Sequence, residues 1–199
     1  MNQTQALGAA LQFLTTEIVS PLMRTERHNE VPLLGRREST AEHSFHVASV
    51  ALHFVDLFPK LDALEVAKMA LQHDYAEASI GDVSVYASAA ERAAKATSEH
   101  LAASSLHKRA AMLNVDLDPL VNYLAQESDE SRYVSAIDKI VPYYLVLAGV
   151  GHHARPTLEE YDQTRERARD KIRKSFAALL PAFEAVSDEV RARVVELNS

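Results

Sequence analysis

The chain has 199 residues, 47% of them apolar and 25% charged, a balance that excludes a disordered or collagen-like protein. It has no cysteine, so disulfides, thiolate catalysis, iron–sulfur clusters and zinc fingers are excluded, and any metal site must use His, Asp or Glu. Its net charge of −7 repels a phosphate backbone and argues against general nucleic-acid binding.

Helical signals dominate, with few Gly and Pro and no alternating strand segment. They predict an all-α bundle of about seven or more helices, in one domain over residues 1–199. Leu7, Ala10, Leu11, Leu14 and Ile18 repeat at three- and four-residue steps and predict a first helix over about 4–19, ended by Pro21. Residues 21–39 read as a long basic connection carrying Arg24, Arg27, His28, Pro32, Gly35, Arg36 and Arg37. A connection that long inside a compact domain is usually functional or mobile. Ser39 or Thr40 is expected to cap the next helix, with Glu42 in its first turn. That helix carries Val47, Val50, Ala51, Phe54 and Val55 and stops near Pro59.

Asp62 starts a further helix, which ends between His73 and Ala78, before Gly81. Residues 87–113 read as an Ala-rich helix with a break. Asp118-Pro119 opens a short one. Residues 130–148 form a buried helix closed by Gly149 and Gly151. Thr157 caps a polar helix running to about Leu180, and a last helix begins near Ser187. The longest apolar stretch, Ile140 to Val150, contains Pro142 and is too short to span a bilayer. The N-terminus lacks a basic start before an apolar run, so a cytoplasmic location without a membrane partner is expected.

Three spots carry candidate chemistry. At His73-Asp74, adjacent helical residues point about 100° apart. An ion between the two directions reaches a nitrogen and a hard oxygen, a set suited to a divalent transition metal. Asp138 sits among Val134, Ala136, Ile137, Ile140 and Val141, so it lies on a polar stripe or is paired; Lys139 is expected to point elsewhere. His43 lies in the first turns of its helix. His46, three residues on, is near enough to chelate with it, but a packing role is expected.

Together, Glu42-His43, His73-Asp74 and Asp138, in that order and on helices, resemble the HD-domain phosphohydrolase superfamily, whose signature is H…HD…D around one divalent metal. The segment Arg37-Glu38-Ser39-Thr40-Ala41-Glu42-His43-Ser44 resembles the ES-x-x-EHS segment around the first ligand. The segment His73-Asp74-Tyr75-Ala76-Glu77-Ala78-Ser79-Ile80-Gly81-Asp82 resembles the HD-x-x-E-x-x-x-GD segment of one branch, the bacterial 5'-deoxynucleotidases and their relatives. The similarity covers about residues 7–148, leaving the C-terminal helices at 157–197 outside it.

The resemblance implies that His43, His73, Asp74 and Asp138 bind one divalent ion (Co, Mn, Mg, Fe, Ni or Zn). It implies that Glu77 positions or activates a water and that Asp82 orients the nucleophile or leaving group. It implies a nucleotide substrate and a homodimer or higher homo-oligomer. In that branch a substrate-binding Arg, often followed by Trp, precedes the first ligand. This chain has no Trp; Arg27-His28 is the nearest match, residues 29–35 look like an insertion, and Arg24 is a rival. Arg37 is a further candidate for the phosphate. Phosphodiesterase-type members add His ligands for a second metal between the HD pair and the last Asp. His100 and His107 fall in that interval, though an exposed helix face is the expected place for them. His152-His153 reads as loop.

The chemistry agrees with the resemblance. A divalent ion lowers the pKa of water and neutralises phosphoryl oxygens, a carboxylate relays the proton, and cations hold the remaining charge. The expected activity is a 5'-(deoxy)nucleotidase releasing phosphate from nucleoside monophosphates. The competing readings are a deoxynucleoside triphosphate triphosphohydrolase and a non-catalytic nucleotide sensor. A plain helical bundle with no metal is the remaining one.

Overall fold

The first helix, α1 (Gln3–Phe13), opens on a capping box in which Asn2 and Gln5 satisfy each other's backbone N–H groups. The computed structural model describes residues 2–31, 34–148 and 156–197. Pro32, the Gly149 and Gly151 helix stop, and His152-His153 lie outside the described residues. Pro21 does not end the first helix. After Phe13 the chain widens into a π-helix over Leu14–Val19 and continues as α2 (Ser20–Leu22). The Ser20 N–H reaches back to the Thr15 carbonyl, and Pro21 falls in the first turn of α2, where its missing N–H costs little.

The expected long connection at 21–39 is instead a hairpin. Strand β1 (Glu26–Val31) pairs antiparallel with β2 (Arg36–Ser39). Residues Glu26 to Val31 are almost all polar and β1 is mostly half-buried, so no hydrophobic alternation marks it. Between the pairs Glu26–Ser39 and Glu30–Arg37, β1 advances four residues while β2 advances two. This bulge carries Arg27, His28 and Asn29, and bulges re-aim side chains in this way. All three line a cavity against the central helix described below.

Of the two expected caps Ser39 is the one used: it caps α3 (Thr40–Phe54) in a capping box with Glu42. A 3-10 turn, Val55–Leu57, follows. Asp62 caps α4 (Ala63–Gln72), with His73 as its C-cap. The short α5 (Glu77–Ile80) ends at Gly81, whose φ of 76° and ψ of 174° suit glycine alone. The expected break in the Ala-rich segment is not there: α6 runs from Ala89 to Ala111, capped by Ser88 and Glu91. Helices α7 (Asp118–Ala125) and α8 (Asp129–Ala148) follow where predicted.

Thr157 caps α9 (Leu158–Ser175), which stops before Leu180. After a 3-10 turn at Ala177–Leu179, α10 runs from Leu180 to Leu197. It therefore starts well before Ser187. Pro181 sits in its first turn, where proline is tolerated because the N–H has no helical partner.

Helix α8 is the axis of the bundle, touching α3, α4, α7, α9, α10 and β1. One side, through Tyr133, Val134, Ile137 and Val141, packs on Val47 and Ala51 of α3 and on Val66, Met69 and Ala70 of α4. The other, through Ala136 and Ile140, packs on Ala168 and Ile172 of α9 and on Phe183 and Val186 of α10. Fully burying such apolar side chains stabilises the fold by about 1.5–3 kcal/mol each. With both sides packed, the polar Asp138 is held beside α3 and α4. No helix among the described residues is long and apolar enough to cross a membrane.

Candidate metal centre

Three helices and a turn bring the histidines and aspartates together. His43 lies one turn into α3, His73 and Asp74 follow α4, and Asp138 is in mid-α8. His43 and His73 are 0% and 3% exposed, and Asp138 6%. One nitrogen from each imidazole and one Asp138 oxygen all lie within 4.8 Å of one another. His43 Nε2 is 3.0 Å from Asp138 Oδ1 and 3.9 Å from Asp74 Oδ2. His73 Nε2 is 3.2 Å from Asp74 Oδ2 and 3.8 Å from Asp138 Oδ1.

These separations fit an ion. With bonds of about 2.1 Å, neighbouring ligand atoms sit about 3.0 Å apart in an octahedron and about 3.4 Å apart in a tetrahedron. The His73 imidazole adds a second argument. Its Nδ1 is 2.8 Å from the Ala70 carbonyl, which only accepts, so Nδ1 carries the hydrogen. Its buried Nε2 has no hydrogen bond of good geometry. A backbone-anchored Nδ1–H with Nε2 aimed at carboxylates is the usual posture of a metal-ligating histidine. His43, His73 and Asp138 could therefore hold a divalent ion, with Asp74 at the rim of the cluster.

The electrostatics follow from crowding. Burial, with the nearby Arg27 charge, pushes the His43 imidazole down to about 4, so it is neutral at pH 7. Burial also disfavours the His73 cation, but Asp74 and Asp138 outweigh it and push that group up to about 9. In the same way burial is overcome at the carboxylates. His73, Arg27 and His43 hold Asp74 well below the usual range, and Lys139 and His43 do so for Asp138.

Glu77 opens α5 and is 1% exposed. Its Oε2 accepts from Thr40 Oγ1 at 3.0 Å, its Oε1 from Lys95 Nζ at 2.6 Å, and Arg27 Nη1 lies 3.5 Å away. Burial and the neighbouring Asp74 charge push its carboxyl up to about 7, against the pull of Arg27 and Lys95. Asp82 comes back to the same place after the Gly81 turn, with Lys95 Nζ at 3.2 Å and Arg27 Nη1 at 3.8 Å.

Of the three candidate arginines, Arg27 is the one in the site. Its Nη1 donates to Asp74 Oδ2 at 3.0 Å, and its side chain is 14% exposed. Arg24 is exposed, in the turn ahead of β1, and Arg37 is half-buried on β2. Neither contributes to the contacts around the cluster. His46 is half-buried outside the cluster, His100 is exposed and bonded to its own helix at the Ala96 carbonyl, and His107 pairs with Asp118. Among the described residues these histidines form no second metal cluster.

The structure adds residues that sequence reasoning missed. Lys139 does not point elsewhere: its long stem folds back, and Nζ lies 2.5 Å from Asp138 Oδ2. Lys95 reaches the site from α6. Tyr123 packs edge-on against His73, with its hydroxyl 3.5 Å from Asp138 Oδ2. Glu38, 2% exposed on β2, lies beside His43. Only Glu38 had a sequence signal, its place in the segment leading to His43.

A cavity of about 110 Å³ opens beside the cluster. A single water needs roughly 10–15 Å³ of such space, so this one has room for a ligand group. Arg27, Asp138 and Lys139 line its polar end, and Tyr86, Tyr143 and Val146 its apolar wall.

Comparison with known proteins places this architecture. The chain resembles the crystal structure of a predicted metal-dependent phosphohydrolase from Magnetospirillum magnetotacticum MS-1, with 22% identity, 96% of each chain covered and a TM-score of 0.74. It also resembles the PH0347 protein from Pyrococcus horikoshii OT3, with 22% identity, 92% of this chain and 99% of that one covered, and a TM-score of 0.54. At this identity both likenesses speak to the fold. No curated protein matches the chain. The model of the HD domain matches residues 19–180, a span that holds all four of His43, His73, Asp74 and Asp138, and the chain belongs to the HD-domain family.

Proposed function

We propose that the protein is a divalent-metal-dependent phosphohydrolase that releases phosphate from nucleoside 5'-monophosphates, deoxyribonucleotides among them. The observation that carries this reading is the convergence of His43, His73 and Asp138 within 4.8 Å, beside the buried carboxylate Glu77. The Magnetospirillum structure, described as a predicted metal-dependent phosphohydrolase, supports it.

His43, His73, Asp74 and Asp138 hold the ion in this proposal. A divalent ion there supplies Lewis-acid charge, which acidifies water and neutralises phosphoryl oxygens. Glu77 takes a proton from the attacking water, a role suited to a carboxyl pushed up to about 7. The water oxygen bonds to phosphorus, the ester P–O bond breaks, and the nucleoside oxygen leaves with the proton that Glu77 took up. Asp82 orients the leaving group or the water. Arg27 and Lys139 meet the phosphate charge at the polar end of the cavity, and Tyr86 and Tyr143 give a flat base an apolar wall. A cytoplasmic homodimer or higher oligomer belongs to the same proposal, and sedimentation of the purified protein tests its assembly.

The test is product analysis. The protein is incubated with manganese or cobalt and each nucleoside mono- and triphosphate, and products are separated by ion exchange. Orthophosphate from monophosphates is the expected result. Intact triphosphate from a triphosphate instead moves the protein to the triphosphohydrolases. Metal binding without turnover of any nucleotide overturns the substrate assignment.

A further inference from the structure

Three buried polar atoms without a hydrogen-bond partner among the described residues converge on one point: Arg27 Nε, Glu38 Oε2 and His43 Nδ1. Glu38 Oε2 lies 3.7 Å from His43 Nδ1 and 4.0 Å from Arg27 Nε. A buried carboxylate oxygen needs donors, and a buried ring nitrogen that carries hydrogen needs an acceptor. Each of these atoms is the complement the other lacks.

The two histidines differ at their outer nitrogens. His73 has its outer nitrogen fixed, with Nδ1–H donating to the Ala70 carbonyl at 2.8 Å. His43 faces the cluster with Nε2, 3.0 Å from Asp138 Oδ1. Among the described residues its outer nitrogen meets the Glu38 carboxylate and no such backbone carbonyl. A neutral imidazole carries one hydrogen, and the group that binds it decides which nitrogen offers a lone pair. If Nδ1 holds the hydrogen, Nε2 is free for an ion; otherwise His43 presents a hydrogen to the cluster and cannot ligate.

We propose that Glu38 is a positioning residue that accepts from His43 Nδ1–H and Arg27 Nε–H, fixing His43 as an Nε2 ligand and Arg27 beside it. The fold supplies the placement. On β2, Arg36 is exposed and Glu38 buried, and Ser39 caps α3 directly after it. Glu38 is thus tied to the first turn of the helix that carries His43. The inference rests on reading the cluster as an ion site, and is independent of which phosphate ester is cleaved.

The test uses the full chain as wild type, Glu38→Gln and Glu38→Ala, with folding verified by thermal melting. Two readouts are taken: cobalt or zinc affinity by calorimetry, and the His43 tautomer by long-range ¹H–¹⁵N spectra, with the His43 signal assigned from His43→Asn. Glu38→Ala is expected to weaken metal binding by about 10- to 100-fold, the usual effect of losing such an outer partner. It also shifts His43 away from the Nδ1–H form. Glu38→Gln keeps a carbonyl acceptor and recovers most of the affinity. A Glu38→Ala protein that melts lower yet keeps wild-type affinity and tautomer has lost only packing, and overturns the proposal. If Glu38→Ala does not fold, wild-type affinity and tautomer in Glu38→Asp, whose carboxylate is drawn back, overturn it equally. Loss of affinity in Glu38→Ala with no nucleotide turnover in wild type upholds this inference while sinking the substrate reading.

Discussion

Lys95 Nζ lies 2.6 Å from Glu77 Oε1, so α6 hands a cation to a buried carboxylate that opens α5. The same ammonium is 3.2 Å from Asp82 Oδ1 and 3.3 Å from Glu99 Oε1. One Lys thus spans both carboxylates to which the proposed function gives a catalytic role.

Replacing it with Met keeps the stem and removes the charge. Glu77, already pushed up to about 7 by burial and Asp74, loses one of the two cations pulling it down. Its folded pKa therefore rises, and in its proposed role as base it works only when ionised. A rise of about one pH unit lowers the ionised fraction at pH 7 roughly fivefold. In Lys95→Met the acidic limb of the kcat/KM profile is expected to move to higher pH, with activity recovering above pH 8. A profile that overlays the wild type removes Lys95 from the control of Glu77.

Ion binding should stabilise the fold by mass action. At an ion concentration of 100 Kd the gain is about 2.7 kcal/mol. For a chain of this size 1 kcal/mol moves the melting temperature about 2–4 °C. Cobalt added to protein stripped with EDTA is expected to raise Tm by about 5–10 °C. Asp138→Ala, which removes the carboxylate 3.0 Å from His43 Nε2 and 3.8 Å from His73 Nε2, is expected to abolish that rise. Differential scanning fluorimetry with and without the ion measures it, and an equal rise in the variant rejects Asp138 as a ligand.

The C-terminal helices share the core of α8. Phe183 of α10 is 0% exposed and meets the Tyr143 ring edge-on at 5.1 Å. Truncating a buried Phe to Ala costs about 3–5 kcal/mol. Phe183→Ala is expected to lower stability by that amount and to leave one cooperative urea transition, followed by circular dichroism. Two transitions, with the metal cluster surviving the first, show instead that α9 and α10 unfold as a separate unit.

Three helix starts were legible because each is written locally. Ser39 with Glu42, Asp62 and Thr157 are capping residues within one turn of the helices they open. His43, His73, Asp74 and Asp138 stood out as candidates because their order matches a family signature, and Asp138 also because it interrupts an apolar helix. Much of what stayed hidden depends on contacts far apart in sequence. Lys95 is one cation in an Ala-rich helix, and its partner Glu77 is 18 residues away. The β1 strand carries Arg27, His28 and Asn29 to the cavity on a bulge, and these polar residues leave no hydrophobic alternation to read. Lys139 was expected a third of a turn away from Asp138, which holds for its Cβ but not for a stem long enough to fold back.

The capping box that starts α3 also makes a pH-dependent prediction. Glu42 Oε2 accepts from the Ser39 N–H at 2.9 Å, and Arg36 Nη2 reaches Oε1 at 2.6 Å. The Arg36 guanidinium, with Ser39 bonds working against partial burial, holds the Glu42 carboxyl down at about 2. An unfolded Glu titrates near 4.3. A depressed folded pKa contributes stability that is fully present above the unfolded value and is lost as pH falls toward the folded one. The Tm of the wild type is therefore expected to fall more steeply than that of Glu42→Gln between pH 4.5 and 2, and the two to differ by a constant amount above pH 5. Both groups are substantially exposed, so the difference should shrink in 0.5 M salt. Thermal melts across that range, at two salt concentrations, measure it. Parallel curves at every pH mean that the pair contributes nothing and that α3 is held at its start by Ser39 alone.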